Sequence, residues 1–513
     1  MHLSQKNEGL HQQLLFGLTA IIIFVIFRRA WLNDDAFITL RTVDNFVNGF
    51  GLTWNIYERV QSFTHPTWMM ILTLVYFFTR EPFYTTIAVS LLFSTLSVYF
   101  LLRNFSDNII KVLVAASTLL FSRAFIDFST SGLENPLSHF LIIIFFGIFL
   151  RHYKNLTQKQ ITILSLISSF GMLNRLDLFL IFAPTLGYIL YLKKDLQTVK
   201  GILIGQIPLI SWLVFSLIYY GYLVPNTAFA KLPINIQKKD LIAQGIAYYF
   251  HSLITDPLTI IMIILPISFG IRQKKKISLI LISSGLLYLF YILWIGGDFM
   301  EGRFFTVPLI ISSILFLTLD INSYHLHLGL LSLVVLIGLS IPHNTLTIIE
   351  KFPDTINLLP TNGISDERLF YFDSLGLLSR RRQQIGPSHQ RINVGLELRR
   401  QNVEVFPSEM VGMEGYYAGP YVHIIDKMGL CDPLLSKLPV ESPENWRIGH
   451  FLRSIPDGYE DSILTDTNQV TDLSLFEYYK KIRIITRGKV FDLERFTTIL
   501  HMNFGRYNYL INN

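Results

Sequence analysis

The chain predicts a polytopic α-helical membrane protein of about eleven spans, followed by a soluble mixed α/β domain, and three observations predict it. Its 513 residues are 51% hydrophobic and only 16% charged, with a mean hydropathy of +0.43, too apolar for a soluble chain of that length. Apolar runs approaching the ~20 residues that cross a hydrocarbon core about 30 Å thick recur from residue 14 to residue 341. Beyond 341 the chain turns polar, with prolines and mixed charge, over a length that suits one domain. The expected division is a transmembrane domain over 1–341 and a soluble domain over 342–513.

The clear apolar runs are 14–31, 83–102, 200–222, 254–271, 278–295, 303–319 and 326–341, with weaker ones at 66–79, 109–126, 136–150, 161–173 and 176–192. The first lacks a small-residue cleavage pattern at Phe27-Arg28-Arg29-Ala30-Trp31 and is expected to stay as an anchor. Lys and Arg concentrate at Arg151, Lys154 and Lys159, at Lys193, Lys194 and Lys200, and at Arg272, Lys274, Lys275 and Lys276, which places those loops in the cytoplasm. The loops 223–252 and 296–302 and everything after 341 then lie outside. A cytoplasmic start and an external end require an odd number of crossings, so one segment does not cross. The short runs 66–79 and 161–173 are the candidates, as partial insertion is tolerated only under protein or beside a wet cavity.

In the soluble part, Asp366 to Gln384 has the spacing of an amphipathic helix, and Val403-Glu404-Val405-Phe406 and Tyr421-Val422-His423-Ile424-Ile425 read as short strands. The lone Cys431 excludes an internal disulfide. The net charge of +6 follows from the basic loops and does not indicate a nucleic-acid partner.

The first external loop, 32–66, carries Asp34, Asp35, Arg41, Asp44, Glu58, Arg59 and His65. A helix from Asp35 to Gly49 would put Asp34, Ile38 and Arg41 on one face, and Gly49-Phe50-Gly51 would end it. The plain reading is an interfacial helix whose acidic pair serves as cap and dipole partner. Four further charged interruptions change the balance: Pro225-Asn226-Thr227 with Lys231, Asp298 to Arg303, Glu134, and Arg175 with Asp177. Together they suggest the walls of one polar cavity, with carboxylates for a general base and Lys231, Arg41, Arg59, Arg175 and Arg303 for an anion at the bilayer surface. A lipid-linked phosphate sugar fits: a carboxylate deprotonates the attacking hydroxyl, and cations stabilise the phosphate as it leaves.

Asn33-Asp34-Asp35-Ala36-Phe37-Ile38, Asn48 to Asn55, Glu58 to Pro66, Pro225-Asn226-Thr227 with Lys231, Gly296 to Met300 with Arg303, Asp426 to Pro433 and Arg447-Ile448-Gly449-His450 resemble the C-type membrane glycosyltransferases. Within them the chain is similar to the subgroup of the mycobacterial terminal β-1,2-arabinofuranosyltransferase, which extends to a membrane protein of lipopolysaccharide biosynthesis. The resemblance implies a C-type fold and an inverting transferase in a bacterial inner membrane. It would use a polyprenyl-phosphate sugar on the periplasmic side and act on a cell-envelope glycan or lipopolysaccharide. It implies catalysis at Asp34 and Asp35, without saying which is the base, and substrate or donor-phosphate binding at Lys231, Arg59, His65, Asn226, Asp298, Arg303 and Arg41. No cofactor is called for. A divalent cation on Asp34 or Asp35 would suit oxygen ligands, yet no ligand spacing demands one. Trp446, Tyr416, Tyr417 and Tyr421 are aromatics that either contact a sugar acceptor or fill the domain's core. A lipid-linked-sugar flippase and a non-catalytic envelope scaffold share much of this outline, but a scaffold has no use for the acidic pair.

Overall fold

The computed structural model describes residues 2–232, 235–321, 323–341, 343–347, 362–379 and 386–511, most of them helical. Among the described residues, five helices are long and apolar enough to cross a membrane: Gly9–Arg28, Pro82–Asn104, Asn135–His152, Leu176–Lys193 and Lys276–Ile295. Counting each of two bent helix pairs as one span raises this to seven, and four shorter apolar helices stand outside that test. The protein is thus a multi-pass helical membrane protein.

The chain forms two compact units, each assembled from separate segments: residues 1–32, 86–208 and 239–386 make the first, and 33–85, 209–238 and 387–513 the second. The first holds the largest apolar core, running from Leu15 to Ile364 and dominated by Ile, Leu, Val and Phe of its helices. The expected run 200–222 is two helices, Leu196–Gly205 and Ile207–Tyr219. At the break, Gln206 donates to Ser165 O at 3.0 Å and Ser168 Oγ at 2.9 Å. Gly205 lies so close to the neighbouring helix that a Cβ would stand 2.4 Å from Ser165 Cβ. The run 109–126 is likewise broken, at Ser122, whose hydroxyl caps the short helix Arg123–Asp127 by accepting from Phe125 N.

The stretch 223–252, read as a loop, contains most of a helix, Lys238–Thr255. Its buried residues Leu241, Gly245, Tyr248 and Ser252 recur at helical spacing, which its charged first turn obscured. The helix at Asp366 runs over Glu367–Leu375, capped by Asp366 on Leu369 N, and Arg380 to Gln384 lie outside the described residues. It joins the first unit through Leu32 N to Leu375 O and Leu377 N to Ala30 O.

In the second unit the two expected strands form one two-stranded parallel sheet, shifted by a residue or two to Val405–Ser408 and His423–Asp426. Helices Gln390–Arg400, Val411–Ala418, Leu473–Arg487 and Leu493–Asn503 surround it. Arg495, fully buried, ties the helix ends together by donating to the carbonyls of Ile218, Tyr219 and Ile485. The helix Pro66–Thr79 has 14 residues and so is about 21 Å long, short of an upright crossing.

Candidate functional site

The first-loop helix runs over Asp34–Val47 and begins where Asn33 turns its side-chain oxygen onto Asp35 N at 2.8 Å. The cap is therefore Asn33, not the acidic pair, because only the residue preceding the first turn has the extended backbone that capping needs. Both acids then occupy the first turn, where the helix dipole favours negative charge. Asn48 and Gly49, the latter at φ 87°, end the helix as the sequence predicts.

Asp34 is buried, and its two oxygens accept the amides of Gly412 at 3.1 Å and Met413 at 2.8 Å. Glycine is required there, since a Cβ on residue 412 would lie 2.0 Å from Asp34 O. Burial pushes the Asp34 carboxyl up to about 7; the Met413 and Gly412 amides pull it down and the Asp35 charge adds to the rise. Asp35 is half-buried beside it.

Of the basic residues predicted to meet an anion, Arg41 is buried and donates to Trp54 O at 2.8 Å, Gly415 O at 2.7 Å and Val422 O at 2.8 Å. Its guanidinium fork thus holds three chain segments together and has a structural assignment. Arg59 donates to the carbonyls of Ile485 and Gly488. His65 is buried with Nε2 2.8 Å from Thr39 Oγ1 on the acidic helix. Asn226 donates to Gly429 O, Leu430 O and Asp432 O and accepts from Ser436 Oγ. Lys231, just past the helix Asn226–Ala230, is exposed. Arg453 binds the preceding carbonyl, Ala230 O, at 2.6 Å, which brings the Arg447–His450 turn to the same place. Asp34, Asp35, Arg41, Arg59, His65, Asn226 and Lys231 all fall in the second unit.

Asp298 and Arg303 belong to the first unit. Arg303 meets Glu134 at 3.0 Å and Asp298 at 3.5 Å, and Arg175 meets Glu134 at 2.7 Å and Asp177 at 2.5 Å. The interruptions at Glu134, at Arg175 with Asp177 and at Asp298 to Arg303 therefore make one buried ion network.

Sequence reading missed a second network in that unit: Arg29 on Asp127 at 2.9 Å, and Arg123 on Asp366 at 2.6 Å and Glu301 at 3.2 Å. These partners are far apart in the chain, and no spacing announces them. Two buried acids of the second unit were also missed as a pair. Asp426 accepts the amides of Met428 and Cys431, and Asp432 those of Leu434 and Leu435 plus the Tyr459 hydroxyl. Together they lock the loop that grips Asn226; its Asp-rich Gly-containing sequence was the available signal. Burial raises Asp432 to about 8, helped by the Glu58 charge, and raises Asp426 to about 6 against its amide bonds. Among the described residues no three His, Cys, Asp or Glu side chains gather as a metal site.

Tyr416, Tyr417 and Tyr421 line a cleft of about 1500 Å³ within the second unit. Trp446 packs instead against Phe451, with ring centroids 5.8 Å apart.

The class is that of a multi-pass helical membrane protein with a buried, amide-held Asp34 and a half-buried Asp35 beside it, outside its long spans. In sequence the chain is similar to two glycosyltransferases. It is 24% identical to the terminal β-(1→2)-arabinofuranosyltransferase of Mycobacterium tuberculosis over 84% of this chain and 82% of that protein. It is 28% identical to the protein of the same name from Corynebacterium glutamicum, over 60% of this chain and 51% of the relative. No protein-family model matches the chain.

Proposed function

We propose that this protein is an inverting membrane glycosyltransferase that moves a sugar from a polyprenyl-phosphate donor to a cell-envelope glycan, lipopolysaccharide included, on the periplasmic side of a bacterial inner membrane. The observation that carries it is the acidic pair: Asp34 is fixed by two amides and raised to about 7, with Asp35 alongside. A carboxylate tuned toward neutrality is suited to take a proton during attack. The acceptor oxygen bonds to the anomeric carbon as the bond from that carbon to the phosphate oxygen breaks. The hydroxyl proton passes to the pair, polyprenyl phosphate departs with the bonding electrons, and attack from the opposite face inverts the centre. The exposed ammonium of Lys231 suits the departing phosphate, and the names of the two relatives support the reaction class.

The test is to incubate purified protein with radiolabelled polyprenyl-phosphate sugar and candidate acceptors. Label should move to the acceptor, and should not do so with Asp34→Asn or Asp35→Asn. Label that crosses a vesicle membrane with its sugar-phosphate bond intact would instead identify a flippase. For orientation, after Cys431 is replaced, cysteine reporters near Lys194 and Lys275 should resist an impermeant thiol reagent in intact cells while one near Asn362 reacts. The reverse pattern would put the site in the cytoplasm.

A further inference from the structure

The cleft of the second unit is walled by the end of the acidic helix (Asp44, Asn48), by Tyr57, and by Tyr416, Tyr417 and Tyr421 on and after the helix Val411–Ala418. At about 1500 Å³ it exceeds the roughly 300–1,000 Å³ of a small-molecule pocket. Tyr57 is 61% exposed and Tyr421 68% exposed, so neither is core filling. Tyrosine offers a rigid apolar face with a polar tip and loses little freedom on binding.

The charged groups of the wall carry both signs, Arg399 and Arg487 against Asp44, Glu404 and Asp466. Arg487 meets Asp466 at 2.7 Å, and Asp44 accepts the Tyr76 hydroxyl at 2.6 Å. Such a mixed wall does not favour a polyanion over a neutral ligand. It fits a neutral polyhydroxyl chain, which needs donors and acceptors together and has apolar ring faces.

Asp44 lies ten positions after Asp34 on one helix, about 15 Å along its axis. A ligand that reaches the acidic pair from the cleft is thus longer than one sugar. Resting on the glycosyltransferase reading, we propose that this tyrosine-lined cleft binds a run of several neutral sugars of the acceptor, behind the end that receives the new residue. Acceptor length is then a specificity determinant, set away from the reacting atoms.

The experiment titrates the purified full-length protein in detergent with arabino-oligosaccharides and gluco-oligosaccharides, as disaccharide, tetrasaccharide and hexasaccharide, by calorimetry. With one series, affinity should rise with length. Tyr421→Ala and Tyr57→Ala should each lose about tenfold for the hexasaccharide, and Tyr421→Trp should keep most of it. Both positions are exposed, so thermal midpoints should stay within a few degrees of the parent. Absence of binding for both series, or hexasaccharide binding that neither alanine variant weakens, overturns the proposal. Sugar transfer with no length effect would sink the cleft and leave the transferase reading standing. Length-dependent binding with no transfer from any donor would do the opposite.

Discussion

The two units differ in how they hold most of their buried charge. In the first, side chains of opposite sign meet one another: Arg29 with Asp127, Arg123 with Asp366 and Glu301, and Glu134 between Arg175 and Arg303. In the second, buried charges mostly meet backbone. Arg41, Arg453 and Arg495 donate to carbonyls, and Asp34, Asp426 and Asp432 accept amides. Glu58 is an exception, with Arg487 3.7 Å away. A carboxylate ringed by arginines, as Asp127 is by Arg29 and Arg368, is held toward its charged form and serves as a strut. One held by neutral dipoles in a buried place is raised toward neutral pH and stays able to exchange a proton. Three such carboxyls, Asp34, Asp426 and Asp432, lie in the second unit.

The sharpest way to break that contrast is to neutralise the acidic pair. Asp35→Asn should cut transfer by about a hundredfold to ten-thousandfold with unchanged unfolding. Asp34→Asn should lose as much activity and also about 1–3 kcal/mol of stability, because one backbone amide would then face an NH₂ group. Equal denaturation curves for the parent and Asp34→Asn would remove the amide cradle from the explanation.

On the other side of the comparison, Glu134→Ala strips the shared partner from Arg175 and Arg303. Arg175 keeps Asp177 and Arg303 keeps Asp298, so the loss should fall below the roughly 3–5 kcal/mol of a fully broken buried pair but still show in chemical denaturation in detergent. If Glu134→Ala unfolds like the parent, the network is not a strut.

A pH series sharpens the second unit's half. Burial raises the folded carboxyls of Asp34, Asp426 and Asp432 to about 7, 6 and 8, above the ordinary 3.8 of an aspartate. The folded state therefore holds these protons more tightly than the unfolded chain does. Their contribution is fully present below about pH 4 and is lost as pH rises through 6 to 8. Asp432→Asn should flatten the slope of stability against pH between 4 and 8; an unaltered slope would contradict the raised carboxyl.

The smallest effect is expected at Lys231, which is exposed. Lys231→Met should raise the donor KM by about threefold to tenfold with little change in unfolding, and Lys231→Arg should recover part of it. An unchanged donor saturation curve for Lys231→Met would shift the phosphate contact elsewhere.

What the sequence by itself determined is local and additive. Apolar runs identify a multi-pass membrane protein because transfer into hydrocarbon sums residue by residue. The helix expected from Asp35 to Gly49 is found at Asp34–Val47, its end legible because left-handed backbone at Gly49 is decided by neighbours, while its cap is Asn33 and not the acidic pair. The acidic pair was legible for the same reason, being two charges side by side where an apolar run ends. Even local signals were overridden where tertiary packing intervened, as at Gln206 and in the helix Lys238–Thr255. Only the tertiary structure decided who meets whom: Asp34 finds its amides 378 and 379 positions away, and Arg41 finds Gly415 O 374 positions away. Arginines with identical prospects in the sequence were divided between carbonyls, as at Arg41, and carboxylates, as at Arg303. Hydrogen-bond partners are set by the meeting of distant segments, whose pairing leaves no period or spacing in a single chain, and burial, which moves the carboxyls, exists only once those segments have met.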